Sequence, residues 1–316
     1  MKVLLVCVFK EDLMGNAAPF VIEQKEALQR CGVECELFLV KGKGIYGYLR
    51  QLRPLKKKIA DYQPDVIHAH YGLCGLLANL QRRVPVVNTY HGSDINDPNV
   101  LKYSKMAMLL SAWDIFVSRK ALEIAKPKKN YSLLPCGVDL SELQLTTRAE
   151  ARIQMHLDHE KCYVLFSGAF DNAVKNASLA KETVKRTGEK NLELLELKGY
   201  SRDEVTLLMC AADAMLMTSL SEGSPQVIKE ALACGCPIVS VEVGDVKERV
   251  DGLEGCFVAQ TRTPEELAGL LCEAFAFAGK TKGREKIIAD GLEIDQVATE
   301  LIKIYRVIIK NNESIP

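Results

Sequence analysis

Residues 219–250 read SLSEGSPQVIKEALACGCPIVSVEVGDVKERV. Their breakers and apolar residues fall in the order of a loop, a helix and a buried strand. Ser224-Pro225 reads as the helix start: a hydroxyl cap, then proline at the first helical position, where its missing N–H costs nothing. Gly235 ends the helix, and Pro237-Ile238-Val239-Ser240 resumes as a short buried strand. A helix opening of this kind presents backbone N–H groups and a partial positive charge, which suits an anion such as a diphosphate. Glu222 lies in the loop before the helix and Glu230 nearly two turns inside it. One carboxylate can then face the mouth of a site while the other accepts hydrogen bonds from a ligand lying along the helix. The same residues also fit an ordinary capped helix with two solvated glutamates.

Working outward, apolar strand-like runs alternate with amphipathic helical runs. Strands are expected near 2–9, 33–40, 65–68, 85–89, 113–117 and 131–135, with helices at 17–31, 45–61, 72–82 and 98–111. A polar connector over 140–160 precedes a second set, with strands near 162–167, 192–197, 213–217, 237–240 and 254–257, then helices from 263 to 310. Such alternation argues an α/β protein with parallel sheets covered by helices on both faces. The expected division is an N-terminal domain over 1–139, a second domain over 140–294 and a last helix over 295–316. Ligands of such folds bind beyond the carboxyl ends of the strands, here expected in a cleft between the two domains.

Composition narrows the class. The 316 residues suffice for two domains, each with its own core, and 48% hydrophobic with 26% charged residues is the balance of a globular protein. Lys+Arg and Asp+Glu are equal at 41, so no global charge argues for a nucleic-acid partner. The eleven cysteines are scattered and form no Cys-x-x-Cys pair, which reads as reduced thiols in a cytoplasmic protein. The apolar start stops at Lys10-Glu11-Asp12, too short for a signal peptide and suited to a first strand. No apolar run approaches the roughly 18 residues of a membrane span.

Other segments carry possible chemistry. Gly168 to Asn176 (GAFDNAVKN) follows a strand and precedes a helix, where Lys175 can set an ammonium against phosphate oxygens. His91-Gly92 closes a buried strand, with Asp94 two residues on; the position points a side chain toward a cleft, or makes a turn capped by Asp94. His68 and His70 share a strand face, but a third metal ligand is not evident. Gly15-Asn16 follows the first strand, where glycine lets backbone approach a ligand. The absence of a Gly-x-Gly-x-x-Gly there counts against a nicotinamide or flavin dehydrogenase. Lys198-Gly199-Tyr200 follows a strand of the second half, and Tyr200 can stack on a base or lie on the surface. Between 50 and 58, Arg50, Arg53, Lys56, Lys57 and Lys58 form a basic cluster beside apolar Leu52, Leu55 and Ile59. That helix either packs on the sheet with solvated bases or meets anionic lipid headgroups as a peripheral membrane contact.

Ser219, Glu222, Gly223, Glu230, Ala231, Gly235, Pro237, Ile238 and Val239 together closely resemble the signature of the group 1 glycosyltransferases. These are retaining, sugar-nucleotide-dependent enzymes of GT-B architecture, with two Rossmann-like domains. The resemblance covers nearly the whole chain and implies that the last helix, 295–316, crosses back to the N-terminal domain. It implies transfer of a sugar from a nucleoside-diphosphate sugar to a hydroxyl of a saccharide or lipid-linked acceptor, commonly in surface polysaccharide or glycolipid assembly. His91, Glu222 and Lys175 are then the catalytic candidates, and Asp94 orients His91 or meets acceptor. Donor binding falls to Gly15, Gly168, Lys198, Tyr200, Gly223, Ser224, Pro225, Gln226 and Glu230, with Glu230 on the ribose. The chain lacks Asp-x-Asp, the metal–diphosphate clamp of the other large glycosyltransferase architecture, so neither a metal nor another cofactor is expected. Three departures stand out. Ala169 occupies the place of a diphosphate-binding Arg, for which Lys198 and Lys229 are the candidate substitutes. Cys136 replaces the usual Asn in Leu134-Pro135-Cys136-Gly137-Val138-Asp139, and Gly15 stands where two glycines are common. The first departure keeps a noncatalytic subunit open as a rival, and a sugar-nucleotide epimerase of the same architecture is a second alternative.

Overall fold

The computed structural model describes residues 1–11, 17–42, 44–277 and 279–313. Gly15 and Asn16 therefore lie outside the described residues. The chain divides into two compact units, residues 1–137 with 292–316 and residues 138–291.

Unit 1 begins β1 (Lys2–Val8), α1 (Pro19–Arg30), β2 (Glu34–Val40), α2 (Gly44–Arg50), α3 (Leu52–Tyr62), β3 (Val66–His70) and α4 (Gly72–Asn79). It continues with β4 (Val86–Tyr90), α5 (Ser93–Asn96), α6 (Pro98–Leu110), β5 (Trp113–Phe116), α7 (Arg119–Ala125) and β6 (Tyr131–Leu133). These strands form one sheet in the order β2-β1-β3-β4-β5-β6, and every pairing is parallel. The buried β1 run shows why both faces are covered. Val3 and Leu5 join a core with Leu28 and Val87 on one face, while Leu4 and Val6 pack with Leu55, Ile59 and Leu77 on the other. Side chains alternate along a strand, so a continuous apolar run needs a partner on each side.

Unit 2 holds α8 (Arg148–Gln154), β7 (Cys162–Phe166), α9 (Ala177–Arg186), β8 (Leu192–Leu195), α10 (Arg202–Ala211), β9 (Ala214–Met217) and α11 (Gln226–Ala233). Then come β10 (Ile238–Val241), α12 (Val246–Val250), β11 (Cys256–Ala259), α13 (Pro264–Ala276) and α14 (Gly283–Ala289). Its sheet runs β11-β10-β9-β7-β8, again parallel throughout. Capping boxes start α8 (Thr147 with Glu150) and α10 (Ser201 with Glu204), each satisfying amides that the first helical turn leaves over. The last helix, α15 (Ile294–Glu313), belongs to unit 1, where Val297, Leu301 and Tyr305 complete the core over β1 and β4.

Two elements differ from the sequence expectation. The helix expected over 45–61 is two helices, α2 and α3, broken at Gln51. Pro54 has no N–H for a bond back to Arg50, so it is accommodated only in the first turn of a new helix. The last strand of unit 2 starts at Cys256 rather than 254, because Gly252 and Gly255 hold positive φ in the turn before it.

Candidate active site

In unit 2, the chain leaves β7 at Ser167-Gly168 and reaches Lys175 through a short 3-10 turn, Ala173–Lys175. Asn172 caps that turn, its Oδ1 accepting from Val174 N at 3.1 Å. The Lys175 stem lies across Gly168, where a Cβ would come within 2.9 Å of Lys175 Cγ. Its Nζ then donates to Glu222 Oε1 at 2.8 Å, with both side chains largely shielded from solvent. Backbone bonds hold the two loops together. Thr218 Oγ1 donates to the carbonyls of Lys175 (2.9 Å) and Asn176 (3.0 Å), and Leu220 N donates to Val174 O at 2.8 Å. Lys175, Glu222, Gly168 and Gly223 thus occupy one stitched pair of loops.

The expected Ser224 cap is corrected. Pro225 is itself the N-cap of α11, and no side chain caps the helix. Ser224 Oγ instead donates to Asp245 Oδ2 at 2.8 Å. Asp245 is buried and ion-paired with Arg249 Nε at 3.2 Å. Burial pushes its carboxyl up, and the positive charges of Lys229 and Arg249 pull it back. Beside it, Gly244 has φ +57°, and a Cβ there would stand 2.5 Å from Gly223 O. The loop before α11 is therefore fixed from behind by Gly244-Asp245. Gln226 begins that turn.

Glu230 is buried, and its Oε1 pairs with Arg202 Nη1 at 2.9 Å. Arg202, the first residue of α10, was not a candidate from sequence. The two lysines considered as substitutes for the missing arginine are otherwise engaged. Lys198 pairs with Asp171 on the surface, and Lys229 is wholly buried next to Asp245. Tyr200 is exposed in the loop before α10. Arg262 Nη1 donates to Ser219 O at 2.8 Å and braces the same loop from another side.

Unit 1 places His91 at the end of β4, next to His70 of β3. His91 Nε2 is 3.0 Å from His70 Nδ1, and its Nδ1 is 3.8 Å from Cys136 Sγ. His70 stacks on His68 at 4.6 Å between centroids. His68 in turn lies 2.5 Å from Tyr305 Oη and 2.7 Å from Thr89 Oγ1. Burial keeps His70 and His68 neutral, holding His70 down at about 3. Asp94 holds the turn after β4: its Oδ1 accepts from His91 N (2.9 Å) and Gly92 N (3.0 Å), its Oδ2 from Gly72 N (3.0 Å). Burial raises its carboxyl to about 6 despite those three amides. Among the described residues no group of three or more His, Cys, Asp or Glu is arranged to hold a metal ion.

Comparison with known proteins joins both units to one lineage. A family model described as glycosyl transferases group 1 matches residues 142–276, and one described as glycosyltransferase family 4 matches residues 17–142. Both units thus match glycosyltransferase families, unit 2 the group 1 family and unit 1 family 4. Relatives include TuaC of Bacillus subtilis, a glycosyltransferase assigned to teichuronic acid biosynthesis. It is 28% identical over 62% of this chain and 57% of its own length. The D-inositol 3-phosphate glycosyltransferase of Mycolicibacterium gilvum is 27% identical over 72% of this chain and 63% of its own length. The chain thus spans less than two thirds of these relatives. In fold it is similar to sucrose-phosphate synthase of Thermosynechococcus elongatus, with a TM-score of 0.83 at 18% identity over 98% of this chain and 99% of the other. It is likewise similar to Anabaena Alr3699/HepE, solved with UDP, with a TM-score of 0.74 at 15% identity over 97% and 100% of the two chains. The fold is GT-B, with two parallel-sheet α/β domains.

Proposed function

We propose that this protein transfers a glycosyl group from a nucleoside-diphosphate sugar to an acceptor hydroxyl, with retention at the anomeric carbon, in polysaccharide or glycolipid assembly. The observation that carries the reading is the Lys175–Glu222 pair, set at 2.8 Å beside the uncapped start of α11. The donor diphosphate lies against the first-turn amides of α11, where the helix favours negative charge. Lys175 neutralises the charge that grows on the phosphate as the sugar departs, and Glu222 meets the sugar. Glu230, fixed by Arg202 through one oxygen, accepts from the ribose hydroxyls with the other. The bond from the anomeric carbon to the diphosphate oxygen breaks, the acceptor oxygen bonds to that carbon, and the leaving phosphate takes the acceptor proton. On this reading charge is met by Lys175 and the helix, with no metal required.

The supporting context is that Alr3699/HepE was solved with UDP-glucose and that TuaC is assigned to a polysaccharide pathway. The test is turnover of a panel of sugar nucleotides with saccharide and lipid-linked acceptors, read as nucleoside diphosphate released and as glycosylated product by mass spectrometry. Lys175→Ala and Glu222→Ala should each lower kcat by about a hundredfold or more with the fold intact, and chelation with EDTA should leave the wild-type rate unchanged. Wild-type turnover in either variant would remove these roles. An altered donor without transferred sugar would favour an epimerase instead.

A further inference from the structure

We propose that the face of unit 1 built by α2, α3 and α6 is a docking surface for an anionic lipid bilayer. The three helices pack around α4, which lies on the sheet over β1, β3 and β4. Gly72 and Ser104 allow the close approach of α4 and α6, since a Cβ at Gly72 would overlap the Ser104 side chain. α4 is buried beneath its neighbours, so α2 with α3 and α6 stand out as two ridges.

Each ridge combines exposed apolar side chains with bases. On the first, Tyr46 is 80% and Leu49 41% exposed, next to exposed Arg50, Arg53, Lys56 and Lys57. On the second, Leu109 is 67% and Met106 51% exposed, with exposed Lys102 and Lys105 on the same helix face at helical spacing. Leu110 extends this apolar strip, and Lys129, whose Nζ donates to Leu109 O at 3.1 Å, adds a base at its end. Against these, α2 and α6 carry no acidic residue and α3 carries only Asp61. For a chain with zero formal net charge, that is strong segregation of positive charge.

Large apolar side chains among lysines and arginines, on helices that lie flat, are the chemistry of a bilayer interface. Apolar groups enter the headgroup boundary, and the bases are drawn to an anionic surface. An acidic protein partner would satisfy the bases but leave four well-exposed apolar side chains to find matching pockets. A cavity of about 340 Å³ opens between the ridges, lined by Tyr48 of α2, Leu73 of α4, Val100 of α6 and, at its floor, Asp94. A membrane-embedded acceptor would reach that cavity without leaving the bilayer. This last assignment rests on the glycosyl-transfer reading; the lipid surface does not.

The test is cosedimentation of the full chain with vesicles of phosphatidylcholine alone or mixed with phosphatidylglycerol, with no sugar donor present. Wild type should bind the mixed vesicles and not the neutral ones, and should be released by salt. Lys102→Glu with Lys105→Glu, Lys56→Glu with Lys57→Glu, and Met106→Glu with Leu109→Glu should each weaken partitioning by roughly tenfold or more. Lys190→Glu in unit 2 should bind like wild type, and all variants should melt with wild type because every substituted residue is exposed. Wild-type binding in the ridge variants, or equal affinity for both vesicles, overturns the proposal. So does absence of vesicle binding together with a concentration-dependent dimer that Leu109→Glu abolishes, which would make the face an interface between copies. Wild type that binds the vesicles but transfers no sugar from any donor would count against the glycosyl-transfer reading alone.

Discussion

Lys175 reaches Glu222 because three small features agree: Gly168 beneath its stem, Asn172 capping its turn and Thr218 pinning its carbonyl. A lysine at the start of a helix is commonly solvated, and only these neighbours turn it inward. Asp114 shows the cost of a buried carboxyl more directly. Burial pushes it up to about 7, against stabilising bonds from Tyr90 and Ser111. Between about pH 4 and 7 the unfolded chain has released this proton and the folded chain has kept it, so stability falls as pH rises through that window and levels off above it. Asp114→Asn removes the titration. Relative to the variant, wild type should lose about 3 kcal/mol between pH 5 and 8 in urea unfolding; parallel pH profiles would show that Asp114 is not the titrating group. The sequence marked Lys175, Glu222 and His91 as residues of interest. It did not mark Arg202, Asp245 or Arg262, because their partners lie 28, 21 and 43 positions away and nothing local to them signals the contact.

At the scale of elements, α11 and the two loops before it form the candidate site. Its end was legible, since Gly235 takes φ +73° just past the helix. Its start was misread by one residue: Ser224 gives its hydroxyl proton to Asp245 and does not accept from the helix amides it was expected to cap. Gly244 is the hidden requirement, because positive φ and contact with Gly223 O exclude a side chain there. Gly244→Ala should lower apparent affinity for a nucleoside diphosphate by about tenfold and destabilise unit 2 by roughly 1–3 kcal/mol. Calorimetry of binding alongside thermal melting checks both, and unchanged affinity would mean the loop tolerates displacement. The split of α2 from α3 follows from Pro54, which the sequence displayed but whose exact effect depended on where the preceding turn ended.

For the whole molecule, both sheets were readable from alternation alone, since apolar runs buried on two faces leave few choices but parallel strands with covering helices. The return of the chain to unit 1 through α15 was not legible in the alternation; the family resemblance implied it. The apolar stripe of Ile302, Tyr305 and Ile309 announces a packed helix but not its target, which is the core around Val3, Leu5 and Val87. Leu301→Ala should therefore destabilise unit 1 by about 2–5 kcal/mol. Hydrogen exchange should then show lost protection in β1 and β4 with unit 2 unaffected; loss confined to unit 2 would refute the packing described. Among the described residues no helix is long and apolar enough to cross a membrane.

The most direct test is a crystal structure of the chain with UDP or GDP bound. The account predicts the diphosphate within hydrogen-bond reach of the first-turn amides of α11 and of Lys175 Nζ, and the ribose hydroxyls on Glu230. A nucleotide seated elsewhere, with the Lys175–Glu222 pair and the start of α11 untouched, would contradict it.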